Sequence, residues 1–164
     1  MKLNIKNPIA FFDLEATGTN VSTDRIVEIS IVKLTPDGGQ QIYTRRVNPG
    51  ISIPLEASLI HGIYDKDIKN EPGFKDIARE VFNFIGQSDL AGFNVLKYDI
   101  PLLVEEFLRS GFDFDLDRRN LLDAQKIFHL MEKRNLSAAY KFYCGKKLEN
   151  AHSAEADTLA TVDV

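Results

Sequence analysis

The chain has 164 residues, 44% of them hydrophobic and 27% charged, with a formal net charge of −4. That is the size and balance of one globular domain able to bury roughly 70% of its extended surface, and its acidity excludes a protein that coats nucleic acid by phosphate neutralisation alone. The single cysteine, Cys144, excludes an intrachain disulfide and points to a reducing, cytoplasmic setting; no apolar run approaches the ~20 residues of a membrane span, and Met1 to Pro8 reads as lacking a secretory signal core.

The predicted elements begin with three strands. Ile9 to Leu14 is a short apolar run ending in acidic residues. Ile26 to Leu34 is rich in β-branched side chains, and Gln41 to Val47 alternates loosely after a Pro36-Asp37-Gly38-Gly39 turn. Leu55 to Ile60 reads as a short helix ending at Gly62. Phe74 to Ile85 places Phe74, Ile77, Ala78, Val81, Phe82 and Ile85 at helical spacing, with Gly86 beyond. Leu90 to Phe93 reads as a buried strand, Tyr98 to Arg109 as a helix stopped by Gly111, and Leu121 to Ala124 as a last strand. Helical segments follow over Gln125 to Glu132, Leu136 to Tyr143 and Ser153 to Val164. The last has no stop signal, as in a chain cut within or just after its final helix. Antiparallel strands followed by strand–helix alternation predict an α/β fold: one mixed sheet, three antiparallel strands then parallel ones, helices on both faces. With neither repeats nor linkers, residues 1–164 are expected to form a single domain.

Three segments carry residue types suited to chemistry. In Phe11-Phe12-Asp13-Leu14-Glu15-Ala16-Thr17-Gly18, strand alternation puts Asp13 and Glu15 on one face, about 6.5–7 Å apart along the chain. Paired carboxylates repel unless a cation compensates, and such hard oxygens suit Mg²⁺ or Mn²⁺; a polar turn is the plainer reading. In Gly92-Phe93-Asn94-Val95-Leu96-Lys97-Tyr98-Asp99-Ile100-Pro101, Asp99 opens a helix just beyond a strand end, where open α/β sheets place their sites. An N-cap is the alternative there. In Ala151-His152-Ser153-Ala154-Glu155-Ala156-Asp157, Ser153 is a plausible cap, Asp157 lies one turn inside the helix, and His152 is placed to act as a general base; a surface helix start is the alternative. The three segments jointly suit a pair of divalent ions about 3.5–4 Å apart.

On these residues the sequence resembles the DEDDh branch of the DnaQ-like 3′–5′ exonucleases, of ribonuclease H-like fold, to which the proofreading subunits of bacterial DNA polymerases belong. FFDLEATGT resembles the first motif, GFNVLKYDIPLL the second and HSAEADTLAT the third, in order from Phe11 to Thr161. The resemblance implies that Asp13, Glu15 and Asp157 bind a first metal carrying the attacking water. Asp13 would reach a second, with Asp99 acting through its water, and His152 would take the proton. It implies two Mg²⁺ or Mn²⁺ ions and release of nucleoside 5′-monophosphates. Leu14 and the turn Ala16, Thr17, Gly18, Thr19 would hold the terminal nucleotide, with His61 lining the same pocket and Asn94 near the scissile phosphate.

The implied substrate is a single-stranded or frayed 3′ end, DNA favoured over RNA, with a DNA polymerase as possible partner and no membrane. Activity on RNA within the same family, and a non-catalytic module binding nucleic acid or a polymerase, are the alternatives. Activity is expected to rise through a histidine titration to a mildly alkaline plateau. Eight basic residues (Arg118, Arg119, Lys126, Lys133, Arg134, Lys141, Lys146, Lys147) against Asp123 and Glu132 leave a local excess of six positive charges, read either as a nucleic-acid-steering patch or as solvated helix faces. Phe93, Phe107, Phe128 and Cys144 are expected in the core. Glu28 is expected to be structural, Glu155 to face solvent, and Tyr98, Tyr140 and Phe142 to stack on bases or to pack.

Overall fold

A computed structural model describes residues 4–164; the first three residues of the segment assessed for a signal lie outside the described residues. The elements in chain order are β1 (Ile9–Ala16), β2 (Ile26–Leu34), β3 (Gln40–Arg46), α1 (Leu55–His61), α2 (Asp65–Ile68), α3 (Phe74–Ile85), β4 (Asp89–Gly92), α4 (Asp99–Arg109), β5 (Leu121–Asp123), α5 (Ala124–Met131), α6 (Leu136–Cys144) and α7 (Ala154–Asp163). Two compact units divide the chain, one up to Ala124 and one from Gln125 onward. Among the described residues no helix is long and apolar enough to cross a membrane.

In the first unit one sheet runs β3-β2-β1-β4-β5. β1 is antiparallel to β2 and parallel to β4, and β4 is parallel to β5. This is the mixed α/β sheet expected from the pattern. β1 outruns its apolar stretch because Glu15 and Ala16 still find partners in Glu28 and Ile26. The register shift there is a bulge, with Val27 as the extra residue. It leaves Ile26 in the main core with Ala10, Phe12, Leu14 and Ala16, while Val27 joins a second cluster of Ile53, Ile63 and Ile68.

α3 buries Phe74, Ile77, Ala78, Val81 and Ile85, the spacing of a single helical stripe. α4 buries Leu102, Leu103 and Phe107 in the same core. Phe107 stacks on Phe114 with ring centroids 4.6 Å apart and meets Phe74 edge-on at 5.4 Å. Phe93 does not join them. β4 ends at Gly92, and Phe93 is 62% exposed, so the expectation of a core ring is corrected. The four-residue α2 is too short to leave a periodic signature.

The second unit comprises α5, α6 and α7. Its contacts gather on Asp163: Tyr140 Oη donates to Oδ2 at 3.1 Å, Lys146 Nζ to Oδ2 at 3.3 Å, and Cys144 Sγ to the carbonyl at 3.3 Å. Cys144 is therefore half-buried rather than a core residue, and Phe128 is 50% exposed. Glu155 faces solvent, as the helical angle from Asp157 requires.

Candidate active site

The first unit builds its acidic cluster where β1 and β4 part. They pair only from Ile9 to Phe11 and Asp89 to Ala91. Gly92 then lies so close to β1 that a Cβ there would be 2.8 Å from the Phe12 carbonyl oxygen and 2.9 Å from Val95 Cβ. Asn94 takes a left-handed φ of 60°, and its N–H donates to Asp123 Oδ1 at 2.9 Å, while Leu96 N–H reaches Oδ2 at 3.4 Å. This turn delivers Asp99 as the first residue of α4. Its Oδ1 accepts from Leu14 N–H at 3.2 Å. The N-cap position belongs to Tyr98, so Asp99 does not cap its own helix; it bonds across to β1.

Asp13 and Glu15 project from the face of β1 opposite Phe12, Leu14 and Ala16. Burial first, and then the charge of Asp13, push the Asp99 carboxyl up to about 6, against backbone hydrogen bonds that favour its ionised form. Glu15 is raised by the same two causes, burial ahead of Asp13, with His61 opposing. The charge of Asp13 makes Asp99 and Glu15 harder to ionise, a cost that a divalent cation relieves. The donors are all hard oxygens, so the set fits Mg²⁺ or Mn²⁺ in kind. Among the described residues, however, no three His, Cys, Asp or Glu side chains form a ready-made metal cluster.

Beside these carboxylates lies a cavity of about 520 Å³, walled by Leu14, Glu15, Ala16, Thr17, Gly18, Thr19, Asp24, Pro54, Glu56, Ala57, Ile60, His61 and Tyr98. It includes every residue expected to bind the nucleotide except Asn94. α1 ends at Gly62, whose φ of 75° is left-handed, and this holds His61 at the rim. His61 Nδ1 accepts from Ile63 N–H at 3.0 Å, which leaves the ring proton of the neutral imidazole on Nε2. That Nε2 is buried and has no partner among the described residues.

The Thr17–Arg25 loop is held from several sides. Thr17 Oγ1 donates to Asp24 Oδ1 at 2.9 Å, and Asn20 N–H to Asp24 Oδ2 at 2.7 Å. The Tyr98 hydroxyl donates to the Gly18 carbonyl. Burial, with Asp24 and Asp99 nearby, pushes that phenol up to about 12, so it stays a donor. Arg109 donates to the carbonyls of Asp24 at 3.1 Å, Val21 at 3.2 Å and Ser22 at 2.7 Å. Arg25 Nε meets the fully buried Glu106 Oε1 at 2.5 Å. Sequence reasoning missed this bracing. Its one local signal was Glu106 itself, a charge on the buried face of α4 one turn from Leu102 and Leu103.

His152 and Asp157 belong to the second unit and are joined there. His152 has a φ of 78°, and its N–H donates to Asp157 Oδ1 at 3.4 Å. Ser153 occupies the N-cap position of α7 without a side-chain cap bond.

Comparisons with known proteins bear on both units. The profile of the exonuclease family RNase_T matches residues 10–164. DNA polymerase III subunit epsilon of Buchnera aphidicola subsp. Schizaphis graminum is 30% identical over 162 residues, covering 92% of this chain and 67% of that protein. The 3′-5′ exonuclease DinG of Staphylococcus haemolyticus is 24% identical over 159 residues, 93% of this chain but 17% of its own length. E. coli exonuclease I, solved in complex with a dT13 oligonucleotide, shares the fold at a TM-score of 0.67 and 17% identity, covering 96% of this chain and 40% of that one.

Proposed function

Because the chain belongs to the RNase_T exonuclease family, we propose that it is a metal-dependent 3′–5′ exonuclease releasing nucleoside 5′-monophosphates from single-stranded or frayed 3′ ends. DNA is the proposed substrate and a DNA polymerase the proposed partner, in line with the relative named as an epsilon subunit. The observation that carries this reading is the bond from Leu14 N–H to Asp99 Oδ1. It locks the second motif onto the first and leaves a carboxylate group whose mutual repulsion calls for cations.

Asp13, Glu15, Asp99 and Asp157 are the residues that would hold two Mg²⁺ or Mn²⁺. Such ions supply charge neutralisation for the phosphodiester and an acidified water. The chain's own groups do the rest. His152 takes a proton from the attacking water at its imidazole nitrogen. The cavity holds the terminal nucleotide, with Leu14, Ala57 and Ile60 as apolar wall and His61 Nε2–H as a donor in want of an acceptor. Thr17, Gly18 and Thr19 present a turn braced from behind, so little ordering entropy is lost on binding. Asn94, fixed by Asp123, is assigned to the phosphate beside Asp99.

Incubating a single-stranded DNA oligonucleotide with Mg²⁺ or Mn²⁺ should yield mononucleotides, and chelator or Asp13→Ala should abolish them. A folded protein that turns over no substrate with either ion would overturn the reading.

A further inference from the structure

We propose that the second unit carries a separate binding site for the phosphodiester backbone of a single-stranded nucleic acid, in the lysine-lined cavity beside the N-terminus of α6. This deepens the exonuclease reading and rests on it, since the ligand is the body of the strand whose end is trimmed.

The cavity has a volume of about 600 Å³, and its lining includes Lys133, Asn135, Ser137, Lys141, Lys146 and Lys147. All four lysines are exposed. Lys146 is paired with Asp163 at 3.3 Å, while Lys133, Lys141 and Lys147 have no anionic partner among the described residues. Gathering unpaired like charges around one concavity is unfavourable by itself, and an anion reverses the sign of that interaction. The chain as a whole is acidic at −4, so the concentration is local. α6 adds to it. Asn135 Oδ1 caps only Ala138 N–H, at 3.0 Å, and the other first-turn amides have no intrahelical acceptor, so the helix presents its positive end here.

A nucleic acid fits this surface better than a lipid headgroup or an acidic peptide because an aromatic ring is interleaved with the charges. Phe142, on α6, is 80% exposed and lines a neighbouring concavity together with Lys133, Lys141 and one carboxylate, Glu132. Lysines that follow a backbone beside a ring on which a base stacks are the pattern of sequence-tolerant single-strand binding.

The test separates binding from hydrolysis. A fluorescent single-stranded oligonucleotide of roughly 20 nucleotides is titrated with protein in chelator over a salt series, with wild type, the triple variant K133A/K141A/K147A and its charge-conserving counterpart K133R/K141R/K147R. The alanine variant should bind about tenfold or more weakly at low salt, with the slope of log affinity against log salt reduced by about two, as expected for three lost contacts to a single strand. The arginine variant should bind like wild type. Hydrolysis of the p-nitrophenyl ester of thymidine 5′-monophosphate, too short to occupy a second site, should be equal in all three.

Unchanged oligonucleotide affinity and slope in the alanine variant would overturn the proposal. So would equal loss in the arginine variant, or binding of phosphatidylserine vesicles that the alanine changes abolish while oligonucleotide binding persists. If wild type binds, the alanine variant does not, and neither hydrolyses any substrate, this site stands and the exonuclease reading falls.

Discussion

Asp99 concentrates the chemistry of the first unit in one carboxyl. Its folded-state pKa of about 6 lies above the ~3.9 of an unfolded aspartate, so the protonated form is the one that folding favours. The corresponding stability is fully present below about pH 4 and is lost as pH rises through about 6, amounting to roughly 3 kcal/mol. The metal-free protein should therefore melt at higher temperature near pH 4.5 than near pH 7.5 on account of this residue. Asp99→Asn should flatten that difference, and Mg²⁺ or Mn²⁺ should restore stability at pH 7.5 but not at pH 4.5. Melting curves in chelator and in metal check this; a profile unchanged by Asp99→Asn would refute it. Alternation along β1 was enough to place Asp13 and Glu15 on one face from the sequence. The Asp99–Leu14 bond, spanning 85 positions, leaves no trace in local spacing, which is why an N-cap is the plainer reading of that segment alone.

Among the elements, α4 carries two duties on one helix. Its N-terminus supplies Asp99, and its C-terminal turn supplies Glu106 and Arg109, which brace the loop lining the cavity. Glu106→Ala would leave the Arg25 and Arg109 charges facing a hole in the core and should cost about 3–5 kcal/mol, read in a denaturant titration. Close approach of β1 and β4 gives a second expectation. Gly92→Ala puts a methyl 2.8 Å from a backbone oxygen that cannot move aside, and should destabilise by about 1–3 kcal/mol. The periodicity of α3 matched its observed bounds, because an amphipathic stripe with a glycine stop is a local signal. Bracing between a helix and a distant loop is not local, and only Glu106 hinted at it.

For the molecule as a whole, the proposed reaction calls on the five side chains that the three motifs carry, Asp13, Glu15, Asp99, His152 and Asp157. His152→Ala should lower kcat by about 10²–10⁴, the range for loss of a general base, while leaving the melting temperature of the first unit's core unchanged. Steady-state rates on an oligonucleotide measure this, and a kcat within a fewfold of wild type would remove His152 from the mechanism.

By itself the sequence determined the order of strands and helices, the shared face of Asp13 and Glu15, the stops at Gly62 and Gly86, and the family, through three ordered motifs. These are properties of neighbours along the chain, governed by periodicity, turn chemistry and spacing. Only the tertiary structure decided that Asp99 bonds to β1 with its carboxyl pushed up to about 6, that His61 Nε2 is buried without a partner among the described residues, that Phe93 is exposed, and that Glu106 and Arg109 brace the Thr17–Arg25 loop. Each of those depends on burial and on partners brought together by folding, and the free energy of a buried charge or donor is set by what surrounds it rather than by what precedes it in the chain.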